Sequence, residues 1–458
     1  MDNRMTEVET LMWHIERDPW LDPSGGSLMV FDQPLDFARL RRAMAHAVAE
    51  LPRFRQKVVS STPLAPPHWE VDHEFDLDWH VRRIGAPGDG SLRALLDWLG
   101  LFLQDPYDRD RPLWQWVAID NLPGGKGALA IRLHHVVVDG QGAVRLGATY
   151  TSPERDAPEP PEVDLPGLIA SEIQHAGGGV GQIRTVASDL LRRPAEATRA
   201  VVNALTHPPQ LAAGRREAGD LARSMAEQMR STGSPLWQHR SRARRMEALS
   251  VPFKAAHDAA KAWNGTVNDF FVTGATEAGV RYHRELGVSV ESFRASFVVS
   301  TRHDEETHGN KITPLMLDVP AGELSLRERF DAVRDMLHAL RDTVHGDGAM
   351  KMVAPVANLL PVSWLTGILR DQAGHLDFAT SNVAGNPGDT YVAGAKALHT
   401  YVFGPTAATA FNLTVYSAAG NLDIGLHVDP AAVNDSELLR SCLESSYADL
   451  IKAARRKR

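Results

Sequence analysis

The sequence predicts an α/β protein built as two domains, and three observations predict it. Segments with helical apolar spacing alternate with short β-compatible runs in both halves of the chain. At 458 residues, 43% of them hydrophobic, the chain exceeds one ordinary core and has material for two. Between the halves, residues 151–164 are rich in Pro and Glu, and residues 180–250 carry twelve Arg and no Lys against six acidic residues. Such a shift marks a connection. The expected domains are therefore 1–150 and 236–458, joined by a linker over 151–235.

The net charge of −8 and a pI near 6.2 argue against nucleic acid as a partner, because phosphate binding needs a basic field. The single cysteine, Cys442, rules out a disulfide framework and a multi-cysteine zinc site and suits a reducing cytoplasm. No run of about 18 apolar residues occurs, and the start lacks the basic and apolar segments of a signal peptide. The expectation is a cytoplasmic protein, at most peripheral to membrane or lipid inclusions.

In the first half, 27–31 reads as a strand. Asp36 then caps a helix whose apolar positions Phe37, Leu40, Met44, Ala47, Val48 and Leu51 share a face, and Pro52 ends it. Residues 52–59, the surroundings of Trp69 and 75–80 alternate as short strands. An amphipathic helix over 91–103 follows. The charged run 105–111, with Asp108 and Arg109, reads as a solvated face leading into Pro112-Leu113-Trp114, a packing element.

The most informative stretch comes next. Breakers at 121–127 introduce a buried strand over 128–133, which delivers His134 and His135 to its end. Adjacent residues of an extended chain face opposite sides, so one histidine is expected to be chemical and the other structural. Asp139-Gly140 turns the chain, and Gly142 precedes a helix over 143–150. On residue types alone, packing histidines and a metal set of His134, His135 and Asp139 both stay open.

The segment 180–250 reads either as a helical bridge or as an Arg-rich surface lying on anionic lipid. Its Ala-rich apolar face offers little burial energy and favours the bridge. A helix over 251–263 precedes Thr266, the N-cap of a helix to about residue 283, with Asn268 and Asp269 in its first turn. Strands are expected over 294–300 and 313–319, a long helix over 324–344, a turn over 381–386 and a hairpin from 412–416 to 421–427. A terminal helix from 436 carries Cys442 on its apolar face.

His134-His135-x-x-x-Asp139-Gly140, 20 residues after Trp114, resembles the active-site signature of the CoA-dependent acyltransferase superfamily. Within it, the chain resembles the bacterial wax ester synthase/acyl-CoA:diacylglycerol acyltransferase family. Thr266-Val267-Asn268-Asp269 is similar to that family's second signature, and Thr301-Arg302 and Gly309-Asn310 to smaller elements. Ser381-Asn382-Val383-Ala384-Gly385-Asn386 stands where the family has Ser-Asn-Val-Pro-Gly-Pro, without either proline.

The resemblance implies two similar chloramphenicol-acetyltransferase-like domains, each a mixed β-sheet flanked by helices, with the active site at their interface. It further implies transfer of a long-chain acyl group from acyl-CoA to a fatty alcohol or diacylglycerol. Acyl-CoA is then a substrate, and neither cofactor nor metal is implied. His135 becomes the general base, since a neutral alcohol is a poor nucleophile and imidazole can take its proton near neutral pH. His134 becomes its support. Asn268 donates to the oxyanion, a contribution of about 3 kcal/mol. Asp139, with Gly140, braces the loop, and Arg302 is the candidate partner of Asp139. Asn268, Asp269, Ser381 and Asn382 border the substrate.

No Gly-x-Ser-x-Gly nucleophile elbow is present, and Gly177-Gly-Gly-Val-Gly181 lies in the linker, away from any strand. Two other functions remain open. One is the same chemistry with a carrier-protein donor or a polyketide or complex-lipid hydroxyl; the other is a non-catalytic lipid-binding protein.

Overall fold

The computed structural model describes residues 3–16, 18–21, 24–60, 67–137, 146–175, 233–300, 312–343 and 362–455. The chain opens with the helix Glu7–Ile15, begun by a reciprocal cap in which Thr6 accepts from the Glu9 amide and Glu9 accepts from the Thr6 amide. β1 (Gly25–Phe31) precedes the helix Phe37–Glu50, whose cap Asp36 accepts from the Arg39 amide. After one 3-10 turn, β2 (Gln56–Val59) pairs with β3 (His68–Val71) as a separate ribbon.

The strand expected over 75–80 is instead the short helix Leu77–His80. Asp76 accepts from the Asp78 amide and turns the chain there, so extended structure resumes only at β4 (Val81–Gly85). The helix Leu92–Gln104, capped by Ser91, leads to β5 (Trp114–Leu122), β6 (Lys126–Leu133), β7 (Thr151–Ser152) and the helix Leu165–His175.

The second half runs through β8 (Arg245–Pro252), the helices Phe253–Ala262 and Val267–Glu285, β9 (Ser292–Ser300) and β10 (Ile312–Pro320). Helices Leu326–Thr343 and Val362–Gly374 then precede β11 (Phe378–Ala384), β12 (Tyr391–Val392) and β13 (Ala395–Phe403). β14 (Phe411–Ala418) and β15 (Asn421–Val428) form the expected hairpin, and the helix Ser436–Arg455 closes the chain.

The strands make two mixed sheets, in the orders β4-β5-β6-β1-β13-β12-β7 and β10-β9-β11-β14-β15-β8. In the first only β4 and β5 run parallel; in the second β11 runs parallel to both neighbours. The expected α/β class with a mixed sheet in each half is observed.

Two features depart from the sequence reading. β12 and β13 come from the second half but join the first sheet, where Phe403 pairs with Gly26, so the halves interlock. Residues 245–250, the end of the segment read as a helical bridge or lipid-facing surface, are instead part of β8, the edge of the second sheet. Of that segment's arginines, Arg245 forms ion pairs there. Glu247 is buried, and Arg93 at 2.8 Å, Arg245 at 3.3 Å and Arg440 at 3.5 Å converge on its carboxylate. Residues 176–232, with the Gly-rich run, lie outside the described residues.

The core of the second half surrounds Val267–Glu285, a helix buried on nearly every side. Gly274 lets the terminal helix approach it, since a Cβ there would collide with the Tyr447 ring. Cys442 is buried in this core.

Candidate active site

Where β6 ends, the backbone is pinned by the Pro112-Leu113-Trp114 element. His134 N–H donates to the Leu113 carbonyl at 3.1 Å. Trp114 is held from both sides, its Nε1 donating to the Phe54 carbonyl at 2.8 Å and its own carbonyl lying 2.7 Å from His80 Nδ1. Val137 N–H then donates to the His134 carbonyl at 3.0 Å, closing a turn with His135 as its second residue.

His134 is fully buried. Its Nδ1 accepts from Val136 N–H at 3.1 Å, which places the ring proton on Nε2, 3.1 Å from Glu16 Oε2. The same Glu16 oxygen accepts from Arg109 Nη2 at 2.8 Å, and the Arg109 guanidinium lies 3.9 Å over the Trp13 ring. Burial works to raise the Glu16 pKa, but His134 and Arg109 outweigh it and hold the carboxyl below its ordinary range. Trp13 and Tyr107 meet His134 edge-on, at centroid distances of 6.4 and 5.9 Å. Arg132, buried in β6, secures the neighbouring segment through the Phe102 and Asp105 carbonyls at 3.0 and 2.7 Å.

His135 is half-buried, in contrast to His134. Its Nε2 would stand 3.9 Å from a Cβ at Gly25, a position squeezed between that ring and the Phe403 carbonyl at 3.2 Å. The missing side chain at the start of β1 thus leaves room beside the imidazole. Asp139, Gly140 and Arg302 lie outside the described residues.

The second signature heads its helix as expected. Thr266 Oγ1 accepts from Asp269 N–H at 3.2 Å, while Asp269 Oδ2 accepts from Thr266 N–H at 2.8 Å. Asp269 is fully buried, and its visible work is this cap. Asn268 stands outside the cap, half-buried, its Oδ1 accepting from Asn382 Nδ2 at 3.1 Å and its Nδ2 thereby turned elsewhere.

Ser381 and Asn382 do not begin a turn. They belong to β11, which pairs with β14 through Ala384, and Gly385 N–H extends the contact to the Ser417 carbonyl at 2.9 Å. Extended structure thus runs on through the expected turn, with Asn386 accepting from Ala419 N–H at 3.2 Å beyond the last ladder pair.

The crossing strand links the two clusters. Phe403, at the end of β13, borders Gly25 beside His135, and the next residue, Gly404, donates its amide to Thr414 Oγ1 at 3.2 Å. Thr414 is the ladder partner of Ser381. The structure therefore joins Asn268 directly to Asn382, and both to the His135 turn through β13. Sequence reasoning missed Glu16, Arg109 and Gly25. Only the capping box Thr6-Glu7-Val8-Glu9 before an apolar run signalled the first helix, and nothing signalled the partner of Glu16.

Among the described residues, no three metal-ligating side chains gather, and no helix is long and apolar enough to cross a membrane.

Residues 5–271 match the model of the wax ester synthase/diacylglycerol acyltransferase catalytic domain, and residues 308–451 match that of the family's C-terminal domain. The chain belongs to the wax ester synthase/diacylglycerol acyltransferase family. A Mycobacterium tuberculosis protein provisionally named a diacylglycerol O-acyltransferase is 31% identical over 99% of this chain and 93% of its own. In fold, the chain is similar to the wax ester synthase/diacylglycerol acyltransferase of Marinobacter aquaeolei, with a TM-score of 0.65 and 22% identity over 98% of this chain and 99% of that one. It is also similar to the starter condensation domain of rhizomide synthetase, solved with C8-CoA, with a TM-score of 0.59 and 16% identity over 99% and 94% of the two chains. This wax ester synthase/diacylglycerol acyltransferase family member is thus an acyltransferase with two chloramphenicol-acetyltransferase-like domains.

Proposed function

We propose that this acyltransferase moves a long-chain acyl group from acyl-CoA to the hydroxyl of a fatty alcohol or a diacylglycerol, with His135 as the base. One observation carries the choice of histidine. His134 is fully buried, its Nδ1 accepting from Val136 N–H, whereas His135 is half-buried with its Nε2 beside the side-chain-free Gly25, where the crossing strand meets the first sheet.

In this reading His135 Nε2 takes the hydroxyl proton as the alcohol oxygen attacks the thioester carbonyl. The carbonyl oxygen becomes an oxyanion and is met by Asn268 Nδ2, a neutral donor oriented through the bond that its Oδ1 receives from Asn382. Collapse breaks the C–S bond, and the imidazolium returns its proton to the departing thiolate. The ester and free CoA are the products. Asp269 fixes the helix that carries Asn268, and Ser381 borders the substrate next to Asn382.

The test is CoA release by the purified protein from a long-chain acyl-CoA offered with a fatty alcohol, a diacylglycerol, or neither. Ester formation matching CoA release with at least one acceptor is expected. Acyl-CoA consumed at the same rate without acceptor, or no turnover with either, would count against the proposal.

A further inference from the structure

We infer that Glu16 is a positioning residue for acyl transfer, keeping the proton of His134 on Nε2 and so shaping the turn that presents His135. This rests on His135 being the base.

The bond from Val136 N–H to His134 Nδ1, at 3.1 Å, exists only while Nδ1 carries a lone pair. With the proton on Nδ1, two donors would oppose each other and a buried amide would lose its acceptor. The Glu16 carboxylate, its Oε2 3.1 Å from the other nitrogen, places negative charge beside Nε2 and so favours the tautomer with the proton there. Glu16 is itself fixed, because Arg109 donates to the same oxygen at 2.8 Å and is stacked 3.9 Å over Trp13, three residues earlier in the chain.

His135 sits between the two bonds that define its backbone, His134 Nδ1 to Val136 N–H and the His134 carbonyl to Val137 N–H. The tautomer of His134 therefore governs where the next imidazole points. Glu16 acts through His134 and touches no reacting atom. Its effect belongs on kcat.

The experiment compares full-length wild type with Glu16→Ala, Glu16→Gln, Arg109→Ala and His135→Ala. The readouts are kcat and KM for CoA release with a long-chain acyl-CoA and alcohol, and 15N NMR of histidine-labelled protein. The His134 signals are assigned by their loss in His134→Asn. Around metal-bound histidines, removing the partner that orients the ring through its second nitrogen costs about 10–100-fold, and that range is the guide here. Glu16→Ala should lose at least about 10-fold in kcat, with KM within about 2-fold, and show a proton on His134 Nδ1. Glu16→Gln, whose amide oxygen still accepts, should recover most of the rate and the wild-type nitrogen signature. Arg109→Ala should move both readouts the same way but less, and carries the test if Glu16→Ala does not fold.

Wild-type turnover in Glu16→Ala alongside an inactive His135→Ala would overturn the role of Glu16 and leave the base standing. A slow Glu16→Ala with an unchanged nitrogen signature and no rescue by Gln would reduce Glu16 to a helix anchor, which also overturns the inference. If His135→Ala stays active, the base assignment falls, and the His134 signature in Glu16→Ala alone decides whether Glu16 sets its tautomer.

Discussion

Replacing Asn382 with Ala removes the one observed bond that orients the Asn268 amide. That bond joins neutral groups at 3.1 Å on an exposed surface, so its net worth is about 0.5–1.5 kcal/mol, or about 2- to 12-fold in rate. On the proposed mechanism, replacing Asn268 removes the oxyanion donor itself, about 3 kcal/mol and roughly 100-fold or more in kcat. If Asn382 works only by aiming Asn268, the double variant should be no slower than Asn268→Ala, and the coupling energy should equal the whole effect of Asn382→Ala. Steady-state CoA release from the four proteins closes the cycle. The exposed site predicts a melting temperature close to wild type for Asn382→Ala, which separates aiming from folding. Multiplicative losses in the double variant would refute the reasoning, because Asn382 would then act independently of Asn268.

Burial depresses the pKa of His80 to about 4, against a weaker opposing bond to the Trp114 carbonyl. As pH falls from the ordinary value of 6.5 towards 4, the unfolded chain takes a proton that the folded chain refuses, so stability is lost over that window. Between pH 7 and 5 this amounts to about 2 kcal/mol. Urea titrations of His80→Phe at both pH values should show a correspondingly flatter dependence, and an unchanged one would exclude His80 as the cause.

Asp423, buried in β15, accepts from Ser250 Oγ at 2.6 Å, Thr400 N–H at 2.7 Å and His399 Nδ1 at 3.0 Å, tying the crossing strand to the second sheet. Asp423→Ala should cost roughly 3 kcal/mol in chemical denaturation, and a loss below about 1 kcal/mol would show the latch to be unimportant. Cys442, buried in the core, takes no part in the proposed chemistry. Cys442→Ala should retain most activity well below its melting temperature, and its inactivity in a folded protein would revive a thiol mechanism.

Local physics was legible where the signal is local. Asp36 and Thr266 cap helices because a side-chain oxygen reaches an amide three residues on, a pattern written in adjacent residues. The hairpin turn at Ala419-Gly420 could be read the same way, and Gly420 takes the positive φ of 80° it needs. β13 is different in kind. Its partner on the first sheet lies more than 360 residues away, and nothing in 395–403 announces which sheet it joins. The strand in β8 was hidden by its composition, since Arg245, which looks solvated in an Arg-rich run, pairs with the buried Glu247. At the site one histidine is buried and the other half-buried, but β6 ends at Leu133 and a turn, instead of the period of an extended chain, separates them. Glu16 and Arg109 stayed invisible because an ion pair shows only in three dimensions, and Arg109 sits in a run that alternates charges like any exposed face.

The central claim is that His135 itself removes the proton from the attacking hydroxyl. The most direct measurement is single-turnover CoA release by His135→Ala with saturating acyl-CoA and alcohol, alongside circular dichroism to establish that the fold is kept. A fall of about 100-fold or more in the chemical step, with near-native substrate binding, is the expected result. A folded His135→Ala that transfers acyl groups within about 10-fold of wild type would contradict it.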